Sequence, residues 1–186
     1  MLKQLRPAIV SFLLLTLMTG AVYPALVTVI GKSLFSHQAE GSLVLKDGKP
    51  IGSELIAQSF TDPRYFWPRP SACNYDGAAA SGSNQALSNP ARQEVVAQRI
   101  AALREADPGN EAAVPVDLLS ASGSGLDPHI SPDAARYQLG RVARSRNLAE
   151  AEVQKLVEQH TEPPTLGVLG EPRVNVLALN LALDAR

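Results

Sequence analysis

The run Pro7-AIVSFLLLTLMTGAVYPALVTVI-Gly31 contains no charged residue and is closed by Lys32. Roughly 24 residues of helix at 1.5 Å each reach about 36 Å, enough to cross a hydrocarbon core with some tilt. A cleaved signal peptide would carry a shorter apolar region followed by a small-x-small site. Here the apolar residues continue through Tyr23-Pro24 to Ile30 without such a site, which favours a retained anchor. Pro24 removes a backbone donor and Gly20 permits close backbone approach. With Tyr23 they mark either a kink or helix-docking point, or the ordinary frequency of Gly and Pro in membrane helices. The span has no ionisable group except the Tyr23 phenol, so it cannot line an ion path alone. The expected organisation is a tail over 1–7, a membrane helix over 8–31 and a soluble domain over 32–186.

The flanking charges set an expected orientation. Lys3, Arg6 and the terminal amine lie on one side; Lys32, Lys46 and Lys49 lie on the other, offset by Glu40 and Asp47. The positive-inside rule then predicts a cytoplasmic N-terminus and an extracytoplasmic, periplasmic domain on a bacterial inner membrane. The 186-residue chain has a net charge of −1, which gives no basic surplus for nucleic acid. Cys73 is the only cysteine, so no intrachain disulfide can form.

Beyond the anchor, Leu43-Val44-Leu45 and Pro50-Ile51 flank Lys46-Asp47-Gly48-Lys49, and Asp-Gly between apolar runs predicts a hairpin. Ser53 to Phe60 reads as a short helix, and residues 61–90, rich in Pro, Ser, Gly and Asn, as a long loop. Asn89-Pro90 opens a helix whose apolar face is Val95, Val96, Ile100 and Leu103. Val114–Leu119 suits a strand. Ser131-Pro132 opens a helix to about Arg146, closed by a left-handed Asn147. A further helix from about Ala149 to His160 carries Val153, Leu156 and Val157. Val174–Leu183 fits either period, and a helix is the expectation. The mixture predicts a small α+β domain behind one transmembrane helix.

Three segments could carry chemistry. Ser120-Ala-Ser-Gly-Ser-Gly-Leu-Asp-Pro-His-Ile-Ser-Pro132 gathers serines, a carboxylate and an imidazole, which raises a serine hydrolase using Ser124, Asp127 and His129. The block lacks the strand-elbow-helix context of a nucleophile, so a Gly-Ser turn capping the next helix is the better reading. Ser81-Gly-Ser-Asn-Gln85 is a Gly-rich loop, but no Walker A sequence accompanies it. Tyr65-Phe-Trp-Pro-Arg-Pro70 has the composition of interface anchors and equally of a core-edge loop. His37, His129 and His160 have no ligand spacing, and no metal is expected.

Several of these blocks resemble one family. They are Gly52-Ser-Glu-Leu-Ile-Ala-Gln-Ser-Phe60, Tyr65-Phe-Trp-Pro-Arg-Pro-Ser-Ala72, Ser81-Gly-Ser-Asn84 with Asn89-Pro90, and Ala121 to Pro132. Tyr137-Gln138, Arg141-Val-Ala143 and Gly170-Glu-Pro-Arg-Val-Asn-Val-Leu177 complete them. Together they resemble the C subunit of the Kdp potassium-transporting ATPase of bacteria and archaea, over nearly the whole chain. The family usually has two adjacent glycines where this chain has Gly82 alone, which weakens nucleotide binding by that loop.

The resemblance implies a non-catalytic accessory subunit needed for assembly, acting as a catalytic chaperone that raises the ATP affinity of its partner. Implied partners are a channel-like K⁺-binding subunit, a P-type ATPase subunit and a small single-helix subunit. K⁺ and ATP are handled by the complex, so no cofactor is expected on this chain. Phe66, Arg69, Asn84, Asp127, His129, Arg173 and Asn175 are the candidate partner-contact or loop-ordering residues, and Gly20, Tyr23 and Pro24 the candidate membrane-docking residues.

Overall fold

The structure is a computed structural model and describes residues 2–186, so Met1 of the expected tail lies outside the described residues. The chain forms two compact units, one ending at Leu43 and the other running from Val44 to Arg186.

The first unit is dominated by a helical rod over Lys3–Leu34, 32 residues or about 48 Å. It comprises α1 (Leu2–Leu17), a π turn (Met18–Val22) and α2 (Tyr23–Leu34), followed by the single turn α3 (Ser36–Ala39). Pro24 explains the π turn. It has no N–H for the Gly20 carbonyl, and its ring would collide with that carbonyl in a regular α-helix. Widening lets the Tyr23 N–H reach the Met18 carbonyl five residues back, and the rod continues. Thr19 Oγ1 donates to the Leu15 carbonyl at 2.7 Å just before it, a bond that also loosens helical geometry. Side chains from Lys3 to Ile30 are all exposed, and a Cβ added at Gly20 would meet nothing within 4 Å.

The boundary between the units falls within β1 (Leu43–Lys46), which forms a hairpin with β2 (Lys49–Ser53). Asp47 (φ 53°) and Gly48 (φ 74°) are both left-handed, as the two-residue primed turn requires. The next segment is not the expected helix. After Ser53 the chain turns, with the Leu55 N–H donating to Ser53 Oγ (3.1 Å) and the Ala57 N–H to the Leu126 carbonyl (3.0 Å). A helix this short cannot repay its own nucleation, and these longer-range partners win.

The long loop then leads to α4 (Pro90–Ala106), capped by Asn89 accepting from the Ala91 N–H at 3.0 Å. Only Leu103 of its predicted face is fully buried. Val114–Leu119 is not a strand. Pro115 precedes a single helical turn, α5 (Val116–Leu119), which buries Leu118 and aims Asp117 at the Ser131 N–H (2.7 Å). Proline fits the start of a helical turn because no donor is needed there.

Next come β3 (His129–Ile130), α6 (Pro132–Arg146), α7 (Glu150–Gln159), β4 (Thr161–Glu162), β5 (Arg173–Asn175) and α8 (Val176–Asp184). Ser131 caps α6 through the Ala134 N–H at 3.0 Å, and Asn147 closes it in the left-handed conformation (φ 54°). Asn175 caps α8, so the ambiguous final run is a helix, with Val174 left in the strand before it. The sheet order is β3-β5-β4, all antiparallel, with His129 opposite Asn175 and Glu162 opposite Arg173. The core lies between α6, α7, α8 and β5. Ala134, Ala135 and Ala143 let α6 approach closely, while Val142, Val153, Val174 and Leu179 fill the interior. The α+β class is the one observed.

Candidate functional site

The aromatic segment is strapped down by α6 and α8. Asn180 holds Phe66 through both ends of its amide: Oδ1 accepts the Phe66 N–H at 2.9 Å and Nδ2 donates to the Phe66 carbonyl at 3.0 Å. Gln138 does the same for Trp67, at 2.8 and 3.1 Å. Each amide substitutes for a strand partner, which leaves the buried backbone fully bonded. Arg141, 3% exposed, donates to the carbonyls of Pro63 (2.6 Å) and Tyr65 (3.1 Å) and lies 4.5 Å above the Trp67 ring. Burial pushes its guanidinium down to about 10, which leaves it protonated at neutral pH. Phe66 is fully buried, so its ring orders the loop from inside and presents no surface to a partner.

Three residues further on, Arg69 Nη1 meets Asp127 Oδ2 at 3.0 Å. The other Asp127 oxygen accepts the His129 N–H at 3.0 Å and lies 3.4 Å from His129 Nδ1. Burial works to raise the Asp127 carboxyl, but the bonds from His129 and the Arg69 cation outweigh it, and its pKa lies below the ordinary carboxylate value. A carboxyl depressed in the folded state contributes stability that is present above its unfolded pKa and lost as pH falls through the folded one. Asp127→Asn is therefore expected to flatten the acid limb of stability below about pH 4. Urea midpoints measured from pH 3 to 7 on the solubilised chain test this; a limb as steep as wild type would refute it.

The same loop is locked to its neighbours by glycine. Ser81 donates its N–H to the Ser124 carbonyl at 2.8 Å. A Cβ on Gly82 would lie 2.9 Å from the Gly123 carbonyl oxygen, and one on Gly125 (φ 69°) only 2.6 Å from that of Ser81. Gly125→Ala combines this clash with left-handed strain and should cost about 1–3 kcal/mol, read as a lower melting temperature. Unchanged melting would mean the loops can part freely.

Five of the seven candidates are thereby joined: Arg69 to Asp127, Asp127 to His129, and His129 across the sheet to Asn175, beside Arg173. Asn175 Nδ2 reaches the Glu54 carbonyl at 2.8 Å, and Arg173 pairs with Glu162 at 2.9 Å. His129, Arg173 and Asn175 line one cleft of about 450 Å³ together with Glu54, Glu162 and the apolar Val44, Leu55, Leu177 and Leu181. Asn84 stands apart, exposed and left-handed (φ 51°).

The hydrolase reading is not sustained. Ser124 Oγ accepts the Leu126 N–H at 3.1 Å, His129 Nδ1 faces Asp127, and among the described residues no hydrogen bond joins Ser124 to His129. Gln138, Arg141 and Asn180 did not figure among the site candidates. A polar residue recurring on an apolar helix face, as Gln138 does between Ala134 and Val142, was the available signal.

The profile of the family described as "K+-transporting ATPase, c chain" (KdpC) matches residues 5–185. The chain belongs to this family. It is 60% identical over 188 residues to the potassium-transporting ATPase KdpC subunit of Methylococcus capsulatus, covering 100% of this chain and 99% of that one. The KdpC subunit of Sorangium cellulosum is 59% identical over 187 residues, covering 99% and 98%. That of Polaromonas naphthalenivorans is 61% identical over 184 residues, covering 97% and 94%. As a KdpC-family member with one apolar N-terminal helix, the chain is a single-pass membrane protein. It is an accessory subunit of a K⁺-transporting ATPase complex and not an enzyme on its own.

Proposed function

We propose that this KdpC chain docks its helix against the channel-like K⁺-binding subunit and places its soluble domain over that subunit's extracytoplasmic entrance. The P-type ATPase subunit and a small single-helix subunit complete the assembly. The observation that carries this reading is the helix itself, apolar and exposed from Pro7 to Ile30 with one π turn at its middle. Such a rod has no conducting chemistry of its own and suits packing in lipid against another helix. In this reading residues 1–7 face the cytoplasm, 8–31 span the inner membrane and 32–186 lie in the periplasm. The Arg69–Asp127–His129 links and the amide clamps order the loops that meet the partner.

A periplasmic domain reaches cytosolic ATP chemistry only by favouring one conformation of the complex over another. Raised ATP affinity then follows from preferential contact with the ATP-competent state, without ATP touching this chain. The test is a C-terminal tag, mild detergent and identification of what co-purifies, together with protease accessibility of the tag in sealed spheroplasts. Recovery of a channel-like protein and a P-type ATPase, with the tag cleaved from outside, supports the reading. Purification of the chain alone, or a protected tag, overturns it.

A further inference from the structure

The ten residues between β4 and β5 form a projecting tip. Pro163-Pro164 leads out and Glu171-Pro172 leads back, so both stems are stiff. The turn is closed on itself: Thr165 and Leu169 exchange backbone hydrogen bonds at 2.9 and 3.0 Å, and the Gly167 N–H donates to the Pro164 carbonyl at 2.9 Å. Leu166 is held in the left-handed region (φ 55°), which is costly for a branched side chain without glycine's freedom. The result of that geometry is exposure. Leu166 is 86% exposed, Val168 79% and Leu169 58%, and no hydrogen bond ties residues 164–170 to the rest of the domain among the described residues.

Three adjacent aliphatic side chains on a stiff stem are unusual on a free surface. The charges around them narrow the choice of partner. Glu171 lies in the tip with no ion-pair partner among the described residues, Glu162 at its base is paired with Arg173 at 2.9 Å, and the tip has no Lys, Arg, Trp or Tyr. Bilayer surfaces are engaged by basic and aromatic residues, so a tip that has neither and carries the unpaired Glu171 points away from lipid. Two copies meeting tip to tip would bring their two Glu171 carboxylates together, which disfavours self-association.

We propose that Leu166, Val168 and Leu169 form a knob that inserts into an apolar socket with a neutral or basic rim on another subunit of the transporter. This rests on the chain working inside the complex and adds the contact that fixes its soluble domain there. The test is Val168→benzoylphenylalanine in the full chain, photo-activated in the intact complex, beside Leu166→Ser/Val168→Ser in the tagged chain. The expected result is an adduct with another subunit, and about a tenfold lower yield of co-purified partners, equivalent to about 1.4 kcal/mol, with an unchanged melting temperature of the variant chain. Adducts only with lipid or with a second copy, or full partner yield from the double variant, would overturn the knob while leaving complex membership intact. A wild-type chain that brings down no partner would overturn both.

Discussion

Phe66→Ala is expected to destabilise the soluble domain by about 3–5 kcal/mol, the usual range for emptying a fully buried aromatic site. Phe66 has no exposed surface, and its backbone is gripped at both ends by Asn180, so the surrounding loop cannot readily collapse into the void. Urea unfolding of the detergent-solubilised chain measures the loss directly. The result discriminates between the two meanings of the aromatic segment. An exposed anchor for a partner would leave the stability of the free chain within about 0.5 kcal/mol of wild type and lower only the yield of complex. A core anchor lowers both, with stability falling first. Tyr65 and Trp67 are secondary members of the same arrangement, held by Arg146 and Arg141 over their rings at 4.9 and 4.5 Å.

Pro24→Ala is expected to act in the opposite sense on the isolated helix and to disrupt assembly. Restoring the donor at position 24 removes the reason for the π turn, and a regular α-helix in its place would be favoured by up to about 3 kcal/mol. Taking the extra residue of the π turn up into regular α geometry turns one half of the rod by about 100° relative to the other. A face assembled from residues on both sides of Gly20 would then no longer be continuous. The expected outcome is a well-inserted chain that recovers about tenfold less partner, a loss of about 1.4 kcal/mol in association. Full recovery of partners by Pro24→Ala would show that the two halves dock independently or that only one of them docks.

Local signals are legible in the sequence where a single residue decides the backbone. Asp47-Gly48 made a primed hairpin turn, Asn89 and Ser131 capped helices that begin with proline, and Asn147 closed α6 in the left-handed region. Segments whose conformation depends on distant partners differ from what their local sequence predicts. Ser53–Phe60 has helical composition but is pinned by the Leu126 carbonyl, and Val114–Leu119 looks extended until Asp117 bonds the Ser131 N–H. The strands β3, β4 and β5 are two or three residues long, too short for any alternation, and exist only through their pairing. The site shows the same division. Asp127 and His129 stand out in a peculiar loop, whereas Gln138 and Asn180 bond backbone 71 and 114 residues away in sequence, and a polar residue on an apolar helix face does not name such a distant partner. Family resemblance supplied what periodicity could not, because it draws on blocks whose partners are remote.

Dependence of the pump on this non-catalytic subunit is tested most directly by K⁺-stimulated ATP hydrolysis, titrated with ATP, in complexes purified with and without this chain. Hydrolysis that disappears, or that requires markedly more ATP, when the chain is absent, and that Ser124→Ala leaves unchanged, is the predicted result. Equal activity and equal ATP dependence without the chain would contradict the account.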